Sequence, residues 1–229
     1  MKKIMQLNLK VLQLLSSRLC HDIVGPAGAI QNGIELFEEM GSEEDEGALE
    51  VIATSSEKLL ARIAFFRLTF GQGGPNGRKS PLAEARELAQ AYLKGSRVSL
   101  DWPPEMVESL EKKITVIAIK ILLNMILVAI DAIPRGGSLE VSVSTEDEIH
   151  KGQAVNLVVR AIGRGAFLSE DLQCALLSEK SSHADLNLSA QNIHGFFCQR
   201  LAENQLSKVS VFTDRDEVRF TVLLPQCPK

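Results

Sequence analysis

The chain is 229 residues long and 45% hydrophobic, with 29 acidic against 25 basic side chains and a net charge of −4. Those values fit an ordinary globular protein of one large or two small domains and exclude a disordered chain. They also exclude the strong basic field that draws a protein onto nucleic acid or an anionic membrane, so the expected partners are other proteins. Residues 1–8 hold two lysines but no apolar run with a small-residue cleavage site, so no export signal is expected. Cys20, Cys174, Cys198 and Cys227 are far apart and form no C-x-x-C pair, which suggests reduced thiols in a cytoplasmic protein rather than a disulfide frame or a metal site.

The first predicted helix runs from about residue 8 to residue 40. Leu12, Leu15, Leu19, Ile23, Pro26, Ile30, Ile34 and Phe37 recur at steps of three or four, the period of one helix face, and are expected on its buried side. Glycine and acidic residues over 41–47 break the pattern and turn the chain back. A second helix follows, with Ile52, Leu59, Ile63, Phe66 and Phe70 on one face, until the glycine-rich segment 71–77. A helical hairpin, residues 1–72, is the expected first domain. It cannot enclose a core alone: its apolar faces pack either on the rest of the chain or, more simply, on a second copy to form a homodimeric four-helix bundle.

Residues 80–229 are the expected second domain. Ser80-Pro81 reads as an N-cap followed by proline at the first helical position, opening a helix to about Lys94. Val98, Leu100 and Trp102 alternate as a strand before Pro103-Pro104. The apolar run 114–133 carries Lys120, Asn124 and Asp131, which suits a buried core helix and not a membrane span. Leu139, Val141 and Val143 with residues 154–159 read as a hairpin. Helices are then expected over 169–178 and 191–203, and a closing hairpin over 208–213 and 218–224. The whole is an α+β protein whose second domain is an α/β sandwich, with helices on one face of a mixed sheet.

Advancing about 100° per residue places His21 roughly opposite the apolar stripe of the first helix, with Ser17, Gly25, Gly28 and Asn32 along the same exposed line. Small neighbours leave room for another protein to approach the imidazole, so these residues form the expected partner-binding face. Arg18 and Asp22 lie within a turn of His21. A lone helical histidine is often incidental, and His150, His183 and His194 read as surface or structural residues. No Cys/His spacing suggests a metal ligand set.

The stretch His21-Asp22-Ile23-Val24-Gly25-Pro26 resembles the phosphoacceptor box of two-component histidine kinases, in which an acid follows the histidine and proline stands five residues after it. From Ser80 to Leu224 the order of elements resembles the Bergerat ATP-binding fold of the histidine kinase, gyrase and Hsp90 superfamily. Residues 122–137 look like its N box, but Val128 stands where the resemblance implies a magnesium-binding asparagine, and a valine offers no oxygen to a hard cation. Ala161-Ile162-Gly163-Arg164-Gly165 resembles the Asp-x-Gly-x-Gly box with alanine in place of the adenine-binding aspartate. Residues 189–195 stand where a phosphate-cradling glycine-rich loop would be, and little of that loop remains. The resemblance therefore implies a fold kept and a nucleotide site discarded. Gly163 and Gly165 have a plainer reading as turn glycines.

Taken together, and on Ser17-Arg18-Leu19-Cys20-His21-Asp22 and Ala64-Phe65-Phe66-Arg67-Leu68-Thr69-Phe70-Gly71 in particular, the chain resembles the ChpT-type histidine phosphotransferases of alphaproteobacteria. That family implies a cytoplasmic relay in which His21 takes a phosphoryl group from the receiver aspartate of a hybrid kinase and passes it to the receiver of a response regulator. It implies no cofactor on this chain, the Mg²⁺ belonging to the partner receiver. Asp22 would orient the imidazole or accept a proton near it, and Arg18 would steady phosphate charge, unless both are solvated helix charges. Two other readings stand beside this one: an ATP-dependent histidine kinase with a divergent pocket, and a non-catalytic dimeric scaffold in which His21 is incidental.

Overall fold

Two antiparallel helices, α1 (Leu9–Met40) and α2 (Glu46–Phe70), form the hairpin. The structure, a computed structural model, describes residues 9–40, 46–74, 80–105, 114–148, 152–177 and 187–225. At Gly33 of α1 an added Cβ would lie 2.7 Å from the Ile52 side chain of α2, so any larger residue there must push that side chain aside. The buried side of α1 follows the expected line through Leu15, Leu19, Ile23, Pro26, Ile30 and Phe37, joined by Val11 and Gly33. Leu12 and Ile34 depart from it: they are 52% and 39% exposed, because each stands one residue past the centre of contact, at Val11 and Gly33 respectively.

The hairpin is seated on the rest of the chain at its lower end. Phe65, Phe66, Leu68 and Thr69 of α2 are buried, and the Phe65 ring stacks on Tyr92 with centroids 4.5 Å apart. Tyr92 belongs to α3 (Pro81–Leu93), whose N-cap Ser80 accepts from the Ala83 amide at 3.1 Å, as the Ser-Pro pair predicts. Burying a phenylalanine such as Phe65 contributes about 2–3 kcal/mol. Phe66 therefore serves this chain's own core instead of lying on an outer hairpin face with Ile63, which is 47% exposed. Val11 of α1 packs with Leu188, Ile193 and Phe196.

The sandwich is built on a five-stranded sheet. Its strands are β1 (Val98–Asp101), β2 (Gly137–Glu148), β3 (Gly152–Ile162), β4 (Ser210–Asp214) and β5 (Glu217–Pro225), in the order β1-β2-β3-β5-β4. β1 runs parallel to β2 and the other pairs are antiparallel, giving the mixed sheet expected. Leu139, Val141, Leu157, Val159, Val218, Phe220 and Val222 point to the buried face, where α4 (Val116–Asp131) packs. The alternate positions are polar, and Arg160 pairs across the open face with Glu140 and Glu217. α5 (Glu170–Leu177) and α6 (Ile193–Glu203) complete the helical layer, α6 packing on α4. Trp102 lies just past β1 and is buried.

Gly165 has φ of +69°, which suits its reading as a turn glycine, and a Cβ on Gly163 would come within 2.6 Å of the Gly136 carbonyl oxygen. His150, His183 and Cys227 lie outside the described residues. No helix among the described residues is long and apolar enough to cross a membrane.

Candidate functional site

Helical geometry places Ser17, His21, Gly25, Gly28 and Asn32 within an arc of about 80° on α1, and all five are exposed. The His21 side chain is 86% exposed. A Cβ added at Gly25 or at Gly28 would meet nothing within 4 Å, so the approach to the imidazole is open on the side of the following turns. Val24, exposed and one turn from His21, adds an apolar spot to this surface.

Asp22 holds the histidine. Its Oδ1 is 3.2 Å from His21 Nδ1, and its Oδ2 accepts from Arg18 Nε at 3.1 Å. Unlike His21, the Asp22 carboxylate is largely sheltered, with 15% of its side chain exposed. Its backbone is held as well. Pro26, inside α1, has no N–H to give to the Asp22 carbonyl four residues earlier, and that carbonyl accepts instead from Arg62 Nη1 of α2. The Arg62 guanidinium carbon lies 6.0 Å from the Tyr92 ring centroid. Burial, with the Asp22 charge adding to it, pushes the Tyr92 hydroxyl up to about 12, so this ring stays neutral.

Arg18 then reaches across to the sandwich. Its Nη1 donates to Asp131 Oδ2 at 3.4 Å and to the Gln191 carbonyl at 3.3 Å. The fully buried His194 also lies against Asp131, with Nε2 3.1 Å from the same Oδ2 but off the hydrogen-bond line. Burial alone would raise the Asp131 carboxyl, yet His194 and Arg18 outweigh it and hold it below the ordinary carboxylate value. Burial likewise pulls the Arg18 guanidinium down, and Asp131 and Asp22 outweigh it and lift it above the usual arginine value. Each charge is thus kept by its neighbours. His194, read from sequence as a structural or surface residue with no acid beside it, has Asp131 as its neighbour in space.

Asp131 and Arg18 face a cleft of about 590 Å³ that is also lined by Arg97, Asp171, Gln191 and Asn192. The cleft lies between the end of the N-box-like helix and the turn standing where a phosphate loop would be, and an arginine from the hairpin occupies its wall. Val128 and Ala161 are fully buried in the apolar core. Asn124, the asparagine the N-box-like stretch keeps, donates to the carbonyls of Lys120 at 2.8 Å and Thr69 at 3.5 Å, tying α4 to α2. Among the described residues no group of histidine, cysteine and acidic side chains is placed to hold a metal.

Asp131, His194 and Arg62 escaped the sequence reading. Asp131 had one available signal, a charge at the end of an otherwise apolar helix; Arg62 and His194 had none that spacing along the chain could supply.

An exposed histidine beside a sheltered carboxylate thus stands on a helical hairpin seated against an α/β sandwich. Residues 82–217 match the family described as histidine phosphotransferase C-terminal domain. The protein phosphotransferase ChpT of Brucella abortus (strain 2308) is 31% identical over 208 residues, 91% of this chain and 92% of that protein. A solved bacterial phosphotransferase structure covers 97% of this chain and 100% of its own at 27% identity, with a TM-score of 0.72. The chain belongs to the ChpT-type histidine phosphotransferase family.

Proposed function

We propose that this histidine phosphotransferase relays a phosphoryl group on His21 between the receiver domain of a hybrid histidine kinase and the receivers of response regulators. The observation that carries the reading is an imidazole 86% exposed, with Nδ1 held 3.2 Å from a sheltered carboxylate and open space over the next two turns. With its Nδ1 hydrogen directed at Asp22, the neutral ring presents the Nε2 lone pair. That lone pair attacks the phosphorus of the receiver's aspartyl phosphate, the P–O bond breaks, and its electrons return to the aspartate. The ring becomes a cation while phosphorylated, and Asp22 stabilises it through Nδ1–H. In the onward step a receiver carboxylate attacks the same phosphorus, the P–N bond breaks, and His21 returns to its neutral form. Mg²⁺ for both steps comes with the receiver.

Asp22 is then the orienting group. Arg18, whose three partners occupy it, positions Asp22 and pins α1 to the sandwich more than it meets phosphate. Ser17, Gly25, Gly28 and Asn32 give the receiver its clearance. Residues 1–72 act as the phosphoacceptor and dimerisation domain and residues 80–229 as a kinase-like domain that binds no ATP, a reading supported by Val128 and Ala161 within the core. The protein works in the cytoplasm as a homodimer. Leu49, Ala53, Ser56, Leu60 and Ile63 alternate at steps of four and three on α2, the spacing of a helix-packing seam, and Leu60 is 67% exposed. A second hairpin would cover this seam.

The test is transfer from a phosphorylated receiver to the wild-type chain and to His21→Gln, followed on acid-labile phosphate. A chain that relays as the wild type does without His21 rules the assignment out.

A further inference from the structure

Helix α1 carries a proline in its interior, four residues after Asp22, and the carbonyl that the proline leaves without a helical donor is satisfied by a side chain from the other helix. Pro26 is buried at the seam between the two helices and Arg62 is half-buried, so the guanidinium approaches from within the hairpin and not from solvent. The residue so held is the one whose carboxylate holds His21 Nδ1. Asp22 is therefore fixed at both ends: its carboxylate by Arg18 and its peptide oxygen by Arg62. An ordinary residue at position 26 would supply the missing hydrogen bond from its own backbone, with no need of a second helix. The Pro26 arrangement transfers that duty to α2.

We propose that Arg62 is a positioning residue for phosphotransfer: it replaces the N–H that Pro26 removes and fixes the Asp22 peptide, and through it the tautomer and direction of the His21 ring. This inference rests on the reading of His21 as phosphoacceptor. Arg62 touches neither the ring nor the phosphoryl group. Its effect is on how much of the time the imidazole presents Nε2 along the line of transfer, a geometric requirement to which transfer rates are steeply sensitive.

The experiment is a double-mutant cycle in the full chain: wild type, Arg62→Met, Pro26→Ala, and the two combined. Two quantities are read: single-turnover transfer from a phosphorylated receiver over a range of receiver concentrations, and the ¹⁵N shifts of the His21 imidazole. Arg62→Met is expected to lower the limiting rate by roughly tenfold to a hundredfold, to leave the half-saturating receiver concentration within about twofold, and to turn a single tautomer into a mixture. Arg62→Lys, which keeps a cationic N–H donor, restores most of the rate. In the Pro26→Ala background, where residue 26 again has an N–H for the Asp22 carbonyl, Arg62→Met should lose most of its effect. If Arg62→Met does not fold cooperatively, Arg62→Leu, which likewise lacks a donor, takes its place in the cycle with the same expectation.

An Arg62 that merely supports the fold would lower the melting temperature yet leave the limiting rate and imidazole shifts unchanged well below it, and that result overturns the proposal. So does an equal loss of rate whether position 26 holds its native proline or carries the Pro26→Ala substitution. Failure of the underlying reading looks different: the wild-type chain would then acquire no phosphate on His21 at all.

Discussion

Arg18 of the hairpin stands 3.4 Å from Asp131 of the sandwich, 113 residues further along the chain. The same guanidinium holds Asp22, so a strut runs from the residue beside His21 into the α/β sandwich. The cleft in that sandwich is lined by an ion pair that ties it to α1.

Replacing Asp131 by Asn should destabilise the chain at pH 7 by about 1–2 kcal/mol, because Arg18 loses a counter-charge while the shape is kept. The fold holds the Asp131 carboxyl below its ordinary value, so its contribution is present above the unfolded-state value near 4 and is lost as pH falls through the folded one. Urea unfolding of wild type and variant at pH 7 and at progressively lower pH checks this. The gap between them should narrow on acidification; a gap that widens contradicts the ion pair.

Substitutions on the two sides of α2 should separate assembly from folding. Leu60→Glu or Ile63→Glu, on exposed positions of the seam, is expected to yield a folded monomer. Phe66→Asp, 7% exposed and packed with Phe70 and Tyr92, should instead cost about 3 kcal/mol or more and unfold a large fraction of the protein. Light scattering at tens of micromolar with circular dichroism on the same samples distinguishes the outcomes. A wild-type chain that is monomeric there contradicts the dimer.

Much of this was legible in sequence because helix geometry is a local rule. The arc from Ser17 to Asn32 follows from 100° per residue alone, and Ser80-Pro81 marked the start of α3 through capping chemistry that needs only three residues. Leu12 and Ile34 misled because a step of three or four defines a stripe about a third of the helix wide. Which edge of that stripe is covered depends on what packs there, α2 at Gly33 and the sandwich residues Leu188, Ile193 and Phe196 at Val11. β2 and β3 proved longer than their Val and Leu cores because their backbone pairing runs on past the apolar residues, to Glu148 opposite Gly152. Arg62 and His194 were invisible in principle. Their partners Asp22 and Asp131 lie 40 and 63 positions away, and no periodicity links them.

Gly28→Arg should block docking without touching the chemistry. An added Cβ there meets open space, so the long side chain stands over the receiver's approach at little cost to the fold. Transfer from a receiver is expected to fall by at least tenfold, while labelling by phosphoramidate, which needs no docking surface, proceeds at the wild-type rate. Unchanged exchange with the receiver would place the working face elsewhere.

ATP with Mg²⁺ should not bind at micromolar affinity, because Val128 offers no ligand oxygen and Ala161 no hydrogen-bond acceptor from its side chain. Calorimetry with ADP competition is the check, and saturable heat displaced by ADP would revive the kinase reading.

The most direct test of the relay is to mix the chain with a phosphorylated receiver domain and map the phosphate by mass spectrometry under alkaline conditions, for wild type and His21→Gln in parallel. The account predicts acid-labile phosphate on His21 in the wild type that chases onto a second receiver, and no phosphate on His21→Gln although it still binds the receiver. Phosphate on another residue, or a His21→Gln chain that still passes phosphate onward, would contradict it.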